Sequence, residues 1–361
     1  MSRPTVISVA IRSSGYGHDR SFAAQGGPLS RPARPRALVL APMRGPGRDR
    51  LWSLADVVYD PGAEHRPFRL LSAADLARRL DETGATILVT EADEVAGPVF
   101  DRPLRAVAAT RGAPTNVDVA AATARGVPVL HTPARNADAV AELTVGLLLA
   151  VTRGIATADR EVREGTAYAG GVLPYQRHRA WQLAGRTCGL VGLGAVGRAV
   201  RWRMEGLGMR VIASDPYAPE ARHRLPELLA AADVVSVHAA LGPATRGMIG
   251  ERQFAAMREG AVYLNTARAE LHDTGALVAA LEAGRLAGAG LDHFEGEWLD
   301  PAARLAALPN VVLTPHIGGA TFDVEANHAA MVAEGVERLL RGERPAHCAN
   351  PEVLERSVPA P

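Results

Sequence analysis

Gly192, Gly194 and Gly197 stand in the run Gly-Leu-Gly-Ala-Val-Gly, directly after an apolar stretch at 187–191 and ahead of a helical pattern. In such a run the first glycine permits a tight turn and the second lets backbone approach a pyrophosphate. The third lets the helix pack closely on the strand. A helix that opens there presents free N–H groups to phosphates. Asp215 closes the next apolar stretch, about 20 residues further on, where an acid holds ribose hydroxyls and repels a 2′-phosphate. The chemistry implied is dinucleotide binding, with NAD favoured over NADP.

Four more polar residues fall just past strand-like stretches. Arg268 follows 261–265, Asp292 and Glu297 follow 289–291, and His316 follows 311–313. In an open parallel sheet, ligands bind in the crevice outside the carboxyl ends of the strands, so these residues should converge. Their types suit one reaction. Arg268 can clamp an anion with its planar fork. His316 can give a proton to a carbonyl oxygen as hydride arrives, and take it back in reverse. Glu297 beside it would stabilise the imidazolium and hold the acid form near neutral pH. Asp292 could accept from the nicotinamide amide. Together they point to an oxidoreductase that moves a hydride between NAD and a small 2-hydroxy/2-keto acid.

The elements that must position them alternate strand and helix. Strands are expected at 37–40, 56–59, 86–90, 104–108 and 127–130, with a helix at 72–80 capped by Ser72. A second series has strands at 187–191, 210–214, 234–237, 261–265, 289–291 and 311–313. Helices at 196–207, 225–232, 251–258 and 274–283 separate them, and a last helix is expected at 323–340. Such alternation means parallel, doubly wound sheets, an α/β chain of two domains. In the helix at 136–153, Val140, Leu143, Leu147 and Val151 form one stripe, which Leu148 and Leu149 widen. A helix apolar on several sides is buried on several sides. It is expected to be a domain junction or a subunit interface, with the chain a homodimer.

Composition narrows the alternatives. With 361 residues, 47% hydrophobic and 22% charged, the chain is long and apolar enough for two cores. A formal net charge of +1 gives no field that would draw nucleic acid or an anionic membrane, and neither partner is expected. The sequence contains no lysine, so every basic side chain other than histidine is arginine. That excludes Schiff-base catalysis and the P-loop lysine. Cys188 and Cys348 are the only cysteines, too few for a disulfide framework or a cysteine metal cluster. No metal is expected, the thiols read as reduced, and a cytoplasmic location follows. No apolar run is long enough to span a bilayer. Residues 1–35, rich in Arg, Pro, Gly and Ser, read as a poorly ordered tail with one extra strand at 5–11.

With these motifs the sequence resembles the D-isomer-specific 2-hydroxyacid dehydrogenase family. The carrying segments are Gly192 to Gly197 with Asp215, Val234-Val-Ser-Val-His238, Asn265-Thr-Ala-Arg268, Gly288-Ala-Gly-Leu-Asp292 and Thr314-Pro-His316-Ile-Gly-Gly-Ala-Thr321. The stretch from Asn116-Val-Asp118 to Asn136-Ala-Asp-Ala-Val-Ala-Glu142 matches as well. The resemblance implies a Rossmann NAD domain at 134–321. It also implies a smaller, discontinuous, flavodoxin-like substrate domain at 36–133 and 322–350. The family's catalytic arginine, glutamate and histidine fall on Arg268, Glu297 and His316. Its cofactor contacts fall on Ala195, Val196, Asp215, His238, Ala239, Thr266, Ala267, Arg268, Asp292, His316, Gly318 and Gly319. Its substrate loop falls on Arg111, Gly112 and Ala113, beside Arg268 and His316. The long helix at 136–153 resembles the family's dimerisation element, and the length resembles that of the short, phosphoglycerate-dehydrogenase-like members. Three positions depart from the pattern. Ala269 replaces a glycine, His293 a valine and Trp298 a proline. Arg111 adds a cation to the loop, which suits a phosphorylated, phosphonate or otherwise dianionic substrate. A glyoxylate/hydroxypyruvate reductase and a NAD-sensing, corepressor-like protein stay open as alternatives.

Overall fold

The computed structural model describes residues 34–355. Residues 1–33 of the expected tail, with the strand at 5–11, lie outside the described residues, and Pro35 already accepts from the Asp56 N–H at 2.9 Å. The first sheet is built from β1 (Arg36–Val39), β2 (Asp56–Tyr59), β3 (Ile87–Thr90), β4 (Ala106–Ala109) and β5 (Val129–Leu130). Between them lie α1 (Gly45–Leu54), α2 (Ala73–Thr83) and α3 (Val119–Ala124). Spatial order is β2-β1-β3-β4-β5, every pair parallel, the flavodoxin-like order. Strands β3 and β4 are buried throughout, as strands covered on both faces must be. Helix α2 starts on the predicted cap, Ser72, whose hydroxyl accepts from the Asp75 N–H at 3.2 Å.

The chain then enters α4 (Ala137–Thr152), α5 (Ile155–Arg163) and α6 (Pro174–Arg177). The second sheet follows: β6 (Thr187–Val191), β7 (Arg210–Ser214), β8 (Val234–Val237), β9 (Ala261–Asn265), β10 (Leu286–Leu291) and β11 (Val311–Leu313). Its helices are α7 (Ala195–Gly206), α8 (Leu225–Ala231), α9 (Glu251–Ala256), α10 (Thr274–Glu282) and α11 (Arg304–Ala307). The parallel order β11-β10-β9-β8-β6-β7 reverses direction at β6, which makes the β6–β8 edge the topological switch point. Beyond β7, where a fuller Rossmann sheet continues, the described residues place one antiparallel bridge, Ser214 to Arg222.

Long α12 (Phe322–Leu340) runs back to the first sheet. Ala329, Val332, Ala333 and Val336 bury there against Ala37, Val39, Ile87 and Val89. The chain therefore crosses between the sheets twice, after β5 and again after β11. Helix α4 lies on the second sheet, with Ala141, Leu147 and Leu148 packed among Leu190, Val200 and Leu264. Much of the apolar face of α4 is thus covered within the chain. Exposed apolar side chains follow it at Ile155, Val162, Tyr168, Tyr175 and Trp181. Among the described residues no single helix is long and apolar enough to cross a membrane.

Candidate active site

The glycine run forms the turn from β6 into α7. Gly192 has φ +97°, and a Cβ there would lie 2.7 Å from the Ala239 nitrogen and 2.8 Å from the His238 carbonyl oxygen. A Cβ on Gly197 would meet the Gly192 carbonyl oxygen at 2.3 Å. At Gly194 the Cβ direction is open, with nothing within 4 Å. Gly194 caps α7 with no side-chain hydrogen bond, so the first N–H groups of the helix remain available to an anion. Asp215 leaves the end of β7 and turns toward the same loop. Its carboxylate accepts from the Leu193 N–H at 2.7 Å and from the Tyr217 N–H at 2.8 Å. A carboxylate has about four acceptor positions, so the pair of hydroxyls of a ribose can still be accommodated. A tight turn, an open cradle, a free helix end and an acid fit a dinucleotide without a 2′-phosphate.

Across the sheet, His316 and Glu297 meet. His316 Nδ1 lies 2.9 Å from Glu297 Oε1, which leaves the other ring nitrogen for substrate. Both residues are largely exposed. Both also adopt left-handed backbone, with φ 53° and 59°. For residues other than glycine this costs about 1–3 kcal/mol each and persists only where the surroundings fix it. Arg268, exposed past β9, sits near enough for its charge to act on His293. His293 tilts against His316, with ring centroids 3.9 Å apart. Burial first, then the neighbouring His316 and Arg268, push its imidazole down to about 4. Ligand-type atoms of His293, Glu297 and His316 lie within 4.8 Å of one another, a convergence found among the described residues.

Asp292 stands at the centre of a hydrogen-bonded clamp. Its side chain is fully buried. Oδ1 accepts from the Thr314 hydroxyl at 2.6 Å and the Ile317 N–H at 2.9 Å, and Oδ2 accepts from the Gly318 N–H at 2.8 Å. With these three donors it ties the Thr314 hydroxyl and the backbone after His316 to the end of β10. Gly318 serves that clamp, because a Cβ there would lie 2.9 Å from Asp292 Oδ2. Thr266, expected among the cofactor contacts, is also buried, with its hydroxyl 2.9 Å from that of Thr144. Its neighbour Ala267 is half-buried and donates its N–H to Asn265. His238 reaches Ser236 Oγ at 2.8 Å, and burial pushes its ring down to about 4, so it stays neutral. Gly319 sits against Asn136, and Ala195 and Val196 begin α7.

Past β4, the loop of Arg111, Gly112 and Ala113 exposes its glycine and alanine. The Gly112 carbonyl is held by His131 Nδ1 at 2.8 Å, and the Arg111 carbonyl accepts from the Thr132 N–H at 2.9 Å. The Arg111 side chain is half-buried and turns toward the Glu91 carbonyl oxygen, at 3.5 Å. Sequence reasoning missed what stands there. Arg135 pairs with the Glu91 carboxylate at 3.0 Å and reaches His328 Nδ1 at 3.0 Å. Burial lowers Arg135 from its ordinary value, and Arg111 adds to that, so the two guanidiniums feel each other.

The family model for the D-isomer specific 2-hydroxyacid dehydrogenase NAD binding domain matches residues 145–318. A glyoxylate reductase of Thermofilum pendens is 35% identical over 342 residues, covering 90% of this chain and 96% of that one. The chain belongs to the D-isomer-specific 2-hydroxyacid dehydrogenase family. It is an oxidoreductase that uses NAD on a CH–OH group. The TT0316 protein of Thermus thermophilus shares its fold, with a TM-score of 0.76, 37% identity, and 87% of this chain and 99% of that chain covered. D-3-phosphoglycerate dehydrogenase 2 of Arabidopsis thaliana is 34% identical over 90% of this dehydrogenase, which spans 52% of that longer protein.

The placement of Asp215 gives a direct expectation. Asp215→Ala removes both the acceptor for a ribose and the charge that opposes a 2′-phosphate. NADH binding should weaken and NADPH use should rise, read as kcat/KM for each cofactor. A wild-type enzyme that uses both cofactors equally would overturn the role given to Asp215.

Proposed function

We propose that this dehydrogenase interconverts a small 2-keto acid and its D-2-hydroxy acid with NAD, with His316 as the acid–base group. The observation that carries this is the 2.9 Å His316–Glu297 contact, held over the cofactor sheet by the buried Asp292 clamp. Bound NAD supplies or receives the hydride. His316 protonates the carbonyl oxygen in reduction and accepts the hydroxyl proton in oxidation. Glu297 stabilises the imidazolium, and Arg268 holds the substrate's carboxylate and carbonyl end. The first sheet with α12 serves as substrate domain. The run from α4 to β11 serves as NAD domain, gripping the cofactor through the Gly192–Gly197 turn, Asp215 and the backbone at Ala239, Ala267 and Gly319.

The charge around Glu91 favours a dianionic substrate. Arg135 pairs with the Glu91 carboxylate and Arg111 brings a second guanidinium to the Glu91 carbonyl oxygen, beside the loop amides of Gly112 and Ala113. A partly buried guanidinium without a counter-charge is costly, so one anion more than Glu91 is wanted there. A phosphate, a phosphonate or a second carboxylate on the substrate supplies it. Relatives include both glyoxylate reductases and D-3-phosphoglycerate dehydrogenases, and the excess cation supports the second pattern. We further propose a homodimer, with the contact on the apolar residues from Ile155 to Trp181 that the chain itself leaves open.

Four measurements test this reading. His316→Ala should lower kcat about 10²–10⁴-fold with NADH binding retained, by the usual worth of an acid–base group. Glu297→Gln should move the pH optimum downward, because the proton on His316 loses its counter-charge. An unmoved optimum refutes the pairing. Arg111→Ala should cost about 2–5 kcal/mol in transition-state binding for phosphohydroxypyruvate and little for glyoxylate, as when a desolvated charge pair is broken. Equal losses on the two would remove the dianion proposal. Light scattering should give twice the chain mass, and Trp181→Asp together with Tyr175→Asp should give monomer. A wild-type monomer at micromolar concentration rules the dimer out.

A further inference from the structure

His316 and Glu297 are an unusual pair to leave unsupported. Both are exposed, and both sit on short loops in left-handed backbone. A general acid must hold its ring within about 10–20° of the productive geometry, since small misplacement is expensive in rate. Asp292 fixes the peptide groups after His316, but a backbone clamp does not stop the imidazole turning about its side-chain torsions.

The next residue in sequence does. His293 follows Asp292 at the end of β10, and only 5% of it is exposed. Its ring lies against that of His316 at 3.9 Å between centroids and 53° between planes. Its Nδ1 is 3.9 Å from the same Glu297 oxygen that His316 holds at 2.9 Å, too long for a hydrogen bond. The two rings and the carboxylate therefore form one packed group in which only His293 is buried.

We propose that His293 is a positioning residue for the acid–base step, a neutral wall against which the His316 ring is seated while Glu297 holds its Nδ1. The inference rests on the reading of His316 as the acid–base group. Charge logic agrees with geometry. The charged and titratable groups facing His293 are His316, Arg268, Asp292 and Glu297. Two cationic rings so close would repel, and one carboxylate, Glu297, is already paired with His316. A His293 that stays neutral down to about 4 does not compete with His316 for Glu297. Asp292 and His293, adjacent in sequence, then divide the task, one holding the backbone beside His316 and the other its ring.

The test uses the full chain with NADH and a 2-keto acid it turns over, in wild type and in His293→Val, His293→Phe and His316→Ala. Valine removes the ring, and phenylalanine keeps a ring without nitrogens. His293→Val should lower kcat roughly 10- to 100-fold, on the scale of a small misplacement of a reacting group. KM, NADH binding and the pH optimum should stay near wild type. His293→Phe should recover most of the loss. Wild-type kcat in His293→Val overturns the proposal. So does a loss in His293→Phe equal to that in valine, which would make a nitrogen the active part, and so does a pH optimum displaced as in Glu297→Gln. If His293→Val does not fold, the phenylalanine variant still decides, since it keeps the volume and must keep the rate. His316→Ala separates the two claims. Full activity there refutes the acid–base reading itself, whereas an inactive His316→Ala beside an unaffected His293→Val refutes only the positioning role.

Discussion

A carboxylate with no exposure to water has to find donors, and the donors found by Asp292 decide where the reacting group sits. Its three hydrogen bonds join the tip of β10 to the loop after β11. An ionised acid in a dry place is tolerated only when such donors are in place, so the arrangement is close to all-or-none. Losing it would strand the Thr314 hydroxyl and two N–H groups at once, about 1–3 kcal/mol for each buried group left unmade. The left-handed backbone at His316 is affordable because of this over-determination, and Gly318 is required because any side chain would enter the space the carboxylate occupies.

The remaining chemistry follows from parallel strands that all point the same way. Gly192, Asp215, His238, Arg268, Asp292 and His316 each lie just past the carboxyl end of a strand in one sheet. The first sheet brings a loop of exposed amides past β4 and, behind it, a cluster with more arginine than carboxylate. In the proposed reading, one sheet handles the nucleotide and the proton, and the other the charge of the substrate.

Much of this was legible in the residues because parallel sheets write themselves as short apolar runs. The strands at 56–59, 187–191, 210–214, 234–237, 261–265 and 311–313 end where the pattern said they would. β10 begins at Leu286, earlier than expected, because Ala287 and Gly288 carry no strand preference and tertiary pairing with β9 extends it. Helix α3 was missed because its run Val-Ala-Ala-Ala-Thr-Ala shows no stripe, although Asp118 caps it, accepting from the Ala121 N–H at 2.9 Å. At the site, residue types and spacing gave the membership but not the direction of the side chains. Nothing in the sequence separates an aspartate that faces a ligand from one that faces Thr314, Ile317 and Gly318. Nor does it bring Arg135 to Glu91, 44 residues away, since that meeting depends on tertiary packing.

The two crossings between the sheets carry a mechanical consequence. Hinges, where they occur, are a few loop or element-terminal residues that absorb a change in backbone angle, and each crossing here is one short stretch of that kind. The returning one, between β11 and α12, contains His316 itself. A change of backbone angle there would therefore also redirect its ring.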